Sequence, residues 1–296
     1  MPDAGSRYTA ACLSLHLMKI GIIGSGSAST ELPPHFYTEA ARFPDVEVVL
    51  IQPRLSMFAF SPYERLLVDV GYVDAAQSAA HAHCDAILIN SFADYGIDAA
   101  RSAVVAPIVG AGAAALQQAS LTGEGRFCIL TVWPKSMGFL YDERLRSLEM
   151  VPRCVAIRHF STEDELSRLA GDTSLMARMA RHEDDIIDAL GTACEALIAQ
   201  YHPDSIVLGC TCMSPIAEAL AKRCPVPIID GAISGLRLLA SGDKAVSSTS
   251  IGLPSGRVTT KRTHLIPDMV SAWVGAAHAP APVVTSDCPV CITDSE

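Results

Sequence analysis

DSIVLGCTCM, residues 204–213, is a short apolar run that stops at a glycine, a cysteine, a threonine and a second cysteine just ahead of Pro215. An unbroken apolar stretch of this length, without polar alternation, is the pattern of a strand buried on both faces, as in a parallel sheet covered by helices. The same pattern recurs as KIGIIG (19–24), VEVVLIQ (46–52), DAILINS (85–91), APIVG (106–110), RFCILTV (126–132), RCVAIRHF (153–160) and VPIID (226–230). Between these runs lie segments such as AGAAALQQAS (111–120), TSLMARMARHEDDIIDALGTACEALIAQY (173–201) and SPIAEALAKRC (214–224). They are rich in helix formers, with apolar residues three and four apart. Strand and helix alternate, so the fold class is α/β, built from βαβ units.

Two strand–helix blocks are visible. Residues 18–116 form the first domain, residues 117–225 the second, and 226–274 are expected to rejoin the first. Residues 1–17 read as an extension ahead of Met18. The Ala/Pro-rich stretch 275–296 loses periodicity and is expected to be a flexible tail.

Half of the 296 residues are hydrophobic and 18% are charged, which excludes a disordered chain. A net charge of −10 with no Lys/Arg run argues against nucleic-acid or anionic-membrane partners and for a small-molecule ligand. No apolar run reaches the roughly 18–20 residues needed to span a bilayer. Ten irregularly spaced cysteines in so long a chain read as reduced thiols, which places the protein in the cytoplasm.

In open parallel sheets, ligands bind beyond the carboxyl ends of the strands, so chemistry is sought there. GSGSAS (24–29) opens like a dinucleotide fingerprint, but Ser29 stands where the third glycine belongs and the next strand ends in Gln52, not an acid. Ser25 and Ser27 are instead candidates to hold a carboxylate or imide, against the plainer reading of a capped turn. Ser91 leaves the strand of DAILINS with Phe92 beside it and Asp94 three residues on, an arrangement that a helix cap also explains. Thr131 ends another strand, ahead of Lys135 and Ser136, where Lys135 could orient an anion or simply be solvated. Asp230 ends the last strand and could equally cap the helix after it. Cys210 ends the strand quoted at the outset, with Thr211 next and a helix start near Pro215, a setting that favours a thiolate. The alternative is a buried structural cysteine. Zinc held by Cys210, Cys212, Cys288 and Cys291 is disfavoured because one pair sits at a strand tip and the other in the tail. The histidines of HAHC (81–84) are two apart and do not share a helix face.

Taken in order, DAILINSFADYGIDAAR, PIVGAGAAAL, FCILTVWPKS, VLGCT and VPIIDG resemble the aspartate/glutamate/hydantoin racemase superfamily, in its hydantoin and allantoin racemase branch. The resemblance covers about residues 18–240. It implies two similar Rossmann-like domains with parallel sheets, the active site in the cleft between them, no metal and no organic cofactor. Two cysteines there flank the stereocentre, one removing the α-proton and the other returning a proton on the opposite face. This chain carries Ser91 at the first cysteine's position and Cys210 at the second. A thiol with a reference pKa of about 8.5 serves as base or acid near neutrality, whereas a serine hydroxyl ionises only with strong help.

Three outcomes follow from the resemblance. Ser91, helped by Asp94 or water, returns the proton in a slow or one-sided racemase. Or Cys210 alone protonates the enolate left by decarboxylation, as in arylmalonate decarboxylase, with Ser91 as an oxyanion donor. Or Ser91 is an engineered replacement of a cysteine, made to trap a bound ligand; a reading from another class is a binding protein that kept the cleft and lost turnover. In each, Ser25, Ser27, Ser136 and Thr211 are the expected donors to the developing negative charge. Self-association is common in the superfamily, which leaves a homo-oligomer open.

Overall fold

The computed structural model describes residues 17–24, 30–166, 173–242 and 260–277. The chain runs β1 (Met18–Ile23), α1 (Pro34–Ala40), β2 (Val46–Ile51), α2 (Pro62–His81), β3 (Ala86–Ile89), α3 (Ile97–Ala103), β4 (Ile108–Gly110) and α4 (Ala111–Ser120). It continues with β5 (Phe127–Thr131), α5 (Phe139–Ser147), β6 (Cys154–His159), α6 (Glu163–Leu166), α7 (Leu175–Ala180) and α8 (Asp184–Tyr201). The last elements are β7 (Ser205–Leu208), α9 (Ala217–Arg223), β8 (Ile228–Ile229), α10 (Gly231–Ala240) and α11 (Leu265–Ala277). Short 3-10 turns at Lys135–Gly138 and Thr211–Ile216 precede α5 and α9.

Among the described residues, eight strands form two parallel sheets of four, ordered β2-β1-β3-β4 and β6-β5-β7-β8. The second order repeats the first with each strand advanced by four, so β3 and β7 are equivalent inner strands. Every residue of both is buried, as their unbroken apolar runs require. The repeat extends to single hydrogen bonds. The Ile87 N–H donates to the Pro107 carbonyl and the Ile206 N–H to the Pro227 carbonyl, each at 2.9 Å.

One expected boundary moves. Residues 226–229 do not return to the first sheet: Ile228 and Ile229 pair with Ile206 and Val207, completing the second. The sequence could not separate a strand from the helix that follows it, and only the helix crosses back. Ala232, Leu236 and Leu239 of α10 pack with Ile20, Ile22 and Leu88 of the first sheet. Helix α4 joins the halves. Ala114 packs on the first sheet, while Ala115, Leu116 and Ala119 pack with Phe127, Ile129 and Val207 of the second. Its alanine-rich sequence suits this position, since small side chains let two layers approach one helix closely. Among the described residues, no helix is long and apolar enough to cross a membrane.

Candidate active site

The candidate site lies where the carboxyl ends of β3 and β7 meet. Ser91 lies four residues past Ile87 and Cys210 four past Ile206, so the repeat puts them at matching positions of the two halves. The Thr211 hydroxyl donates to the Asn90 carbonyl at 3.2 Å, closing the gap between the two strand ends. Ser91 and Cys210 are both half-buried.

After β3 the chain turns sharply. Asp94 takes φ 49°, a conformation unusual for a residue other than glycine. Its carboxylate accepts from the Gly112 and Ala113 N–H groups, each at 2.8 Å, and pairs with Arg144 at 3.2 Å. The glycines of VGAG follow from this packing. A Cβ at Gly110 would lie 2.1 Å from the Asp94 carboxylate, and one at Gly112 would lie 1.9 Å from the Phe92 carbonyl oxygen. Burial pushes the Asp94 carboxyl above its ordinary range, against the pull of Arg144 and the two N–H groups. Asp94 is therefore committed to structure and does not serve Ser91, whose Oγ accepts from the Ala93 N–H at 3.3 Å.

At the other tip, a Cβ on Gly209 would fall 2.8 Å from Thr131 Cβ, so glycine lets β7 end tightly against β5. Cys210 follows in extended backbone and caps the 3-10 turn, its Sγ accepting from the Cys212 N–H at 3.2 Å. Cys210 and Cys212 form a disulfide, their Cα atoms 5.2 Å apart. This corrects the expectation of reduced thiols throughout: a Cys-x-Cys wound into one turn brings its sulfurs together, which spacing alone did not reveal. The free cysteines are of another kind. Burial pushes the Cys128 thiol up to about 11 and Cys154 up to about 12. Cys84, Cys194 and Cys224 are also raised, chiefly by burial.

Helix α5 supports both tips, a role the sequence reading did not foresee. Arg144 reaches Asp94 beyond β3, and the Tyr141 hydroxyl donates to the Gly209 carbonyl beside Cys210 at 3.0 Å. The Tyr141 ring also packs on Phe92, centroids 5.3 Å apart. Arg65 of α2 pairs with Glu143 of α5 at 2.5 Å and donates to the Ala93 carbonyl. The available signal was the spacing of Tyr141, Arg144 and Leu145, which lie on one buried face of a helix otherwise rich in charge.

The other predicted residues divide. Phe92 and Thr211 belong to the meeting strand ends. Thr131 is fully buried, its hydroxyl shared with the Tyr141 hydroxyl and the Trp133 N–H, so it holds the loop and does not face a ligand. Lys135 and Ser136 are exposed on the first 3-10 turn, and the Ser136 hydroxyl donates to Glu163 at 2.7 Å. Asp230 caps α10 through the Ala232 N–H and accepts from the Ser214 hydroxyl at 2.9 Å, which fastens the turn that carries Cys210. Burial pushes its carboxyl up, opposed first by Ser214. Ser25, Ser27, Cys288 and Cys291 lie outside the described residues, as do most of the N-terminal extension and nearly all of the tail.

Two repeated parallel α/β halves, with the ends of their equivalent inner strands facing each other, define the architecture of the two-domain racemases. The sequence model of the Asp/Glu/Hydantoin racemase family matches residues 20–239, and the chain belongs to that isomerase family. It is 27% identical to the hydantoin racemase of Pseudomonas sp. (strain NS671) over 223 residues, 74% of this chain and 84% of the relative. Among solved structures it is similar to an allantoin racemase from Klebsiella pneumoniae, with TM-score 0.64 and 19% identity over 84% of this chain and 98% of that one. A double mutant of arylmalonate decarboxylase shares the fold at TM-score 0.53 and 19% identity, covering 76% of this chain and 93% of that one.

Proposed function

We propose that the protein is a cofactor-independent racemase or epimerase of a carbon acid next to a carbonyl, such as a 5-substituted hydantoin. Reduced Cys210 exchanges a proton with the carbon on one face, and Ser91 stands on the other. The observation that carries this reading is the Thr211–Asn90 hydrogen bond of 3.2 Å, which holds the loops of Cys210 and Ser91 together at matched positions of the repeat. In reduced Cys210, the Cys212 N–H is the kind of donor that stabilises a thiolate. The developing enolate oxygen is served by Thr211 and by backbone N–H groups of the two turns. Family membership supports a small-molecule substrate.

Chemistry with a single thiol is the second reading, favoured by the commitment of Asp94 to Gly112, Ala113 and Arg144. Without that carboxylate, Ser91 is a weak base, and decarboxylation of a malonate needs only one proton donor.

Chiral chromatography of one hydantoin enantiomer, with and without a thiol reductant, tests the proposal. Racemisation that appears on reduction, and that becomes independent of reductant in Cys212→Ser, is expected, since a disulfide-bonded Cys210 has no proton to exchange. Release of CO2 from arylmalonates with no racemisation would replace the first reading with the second.

A further inference from the structure

The internal repeat also departs at the residue directly ahead of Ser91 and Cys210. The Asn90 N–H donates to the Ile23 carbonyl at 3.2 Å, and the Gly209 N–H donates to the Leu130 carbonyl at 2.7 Å. Residues 90 and 209 therefore hold the same place, each directly ahead of a proposed acid–base residue. At 209 the packing of Thr131, Ile129 and Tyr141 leaves no room for a side chain. At 90 a full carboxamide is accommodated, with the residue 8% exposed. Its Oδ1 is buried and has no hydrogen-bond partner among the described residues. The Asn90 N–H and carbonyl are engaged by Ile23 and Thr211, which fixes the main chain at this point. A buried carbonyl oxygen left unpaired is costly, and folded proteins keep few of them. One held at a strand tip beside the reacting groups is ready for a donor that arrives with the ligand.

We propose that Asn90 is a substrate-binding residue whose side-chain oxygen accepts a hydrogen bond from an N–H attached to the reacting carbon. This selects cyclic ureides and amides over malonates and other carbon acids that lack this N–H. The inference rests on the placement of substrate between Ser91 and Cys210 argued above. With Oδ1 turned to the substrate the carboxamide offers lone pairs, which pair with an N–H and repel a carboxylate oxygen in the same position. Asn90 directly precedes Ser91 and its carbonyl accepts from Thr211, the residue after Cys210, so it stands at the end of β3 where the proposed substrate lies.

The test compares a 5-substituted hydantoin with its 2,4-oxazolidinedione analogue, in which a ring oxygen replaces the N–H next to the stereocentre. Calorimetric affinities and kinetic constants are measured on reduced wild type, on the near-isosteric Asn90→Leu and on the smaller Asn90→Ala, with thermal unfolding to verify folding. Wild type is expected to bind the hydantoin about 10-fold or more tighter than the analogue, and both variants to lose that preference. The loss should appear in hydantoin affinity and KM more than in kcat, with analogue affinity changed less than about 3-fold. Equal loss for both ligands, no loss, or no binding of either by wild type would overturn the inference. Preferential binding without proton exchange would instead remove the racemase reading and leave the role of Asn90 standing.

Discussion

The ends of β3 and β7 are the same place in a repeated fold, finished with different chemistry. Beyond β7 the chain stays tight: Gly209 passes under Tyr141, and Cys210 caps a single 3-10 turn that Asp230 fastens through Ser214. Beyond β3 the chain bulges through Asp94 at φ 49° and is secured by an ion pair to α5 and by two N–H groups of α4. Once its disulfide to Cys212 is reduced, the second half presents an ionisable sulfur, and the first presents a hydroxyl and an amide on a heavily braced loop. The repeat supplies two matching positions, and on the proposed reading the residues on them decide whether proton transfer is symmetric. That asymmetry can be broken or sharpened by substitution.

The largest effect is expected at the sulfur. Cys210→Ala should lower turnover of the reduced protein by about 10³-fold or more while leaving thermal unfolding close to wild type, because the side chain is only half-buried. Steady-state kinetics with parallel calorimetry reads both.

Next comes the brace of the β3 loop. Asp94→Ala leaves Arg144 buried without its carboxylate and frees the Gly112 and Ala113 N–H groups, at a cost of about 3–5 kcal/mol in urea unfolding. Asp94→Asn should cost less, since it retains one oxygen acceptor.

Ser91→Cys would make the two tips alike. It is expected to raise the rate of two-sided racemisation by about 10²-fold, the contribution of one well-placed acid–base group. An unchanged rate would favour the single-thiol reading.

The smallest effect concerns the first half alone. Burial holds the His35 imidazole on α1 down to about 4, below its unfolded value of about 6.5. Folding therefore favours neutral His35: its contribution to stability is present above pH 6.5 and is lost as the pH falls from 6.5 towards 4. His35→Gln should flatten that part of the profile of unfolding free energy against pH.

Much of this architecture was legible in the chain. Unbroken apolar runs such as DAILI and SIVL announced parallel strands, and the order of the motifs singled out Ser91 and Cys210. The misjudged residues share a cause. Thr131 and Asp230 are polar groups at strand tips, as a ligand site requires, yet their partners are Tyr141 and Trp133 in one case and Ser214 and Ala232 in the other. A sequence shows that a strand ends in a polar residue but not whether neighbouring elements have already satisfied it. The same limit hid the role of α5, because the contacts of Tyr141 and Arg144 arise only when the halves pack. It also hid Asn90, whose side-chain oxygen is buried without a hydrogen-bond partner among the described residues.

The most direct test follows the α-proton itself. Each enantiomer of a 5-substituted hydantoin is incubated in D2O with reduced wild type, Ser91→Cys and Cys210→Ala, and loss of the α-proton signal is recorded by NMR. Wild type should exchange one enantiomer much faster than the other, Ser91→Cys should exchange both, and Cys210→Ala should exchange neither above the uncatalysed rate. Undiminished exchange by Cys210→Ala would contradict the account.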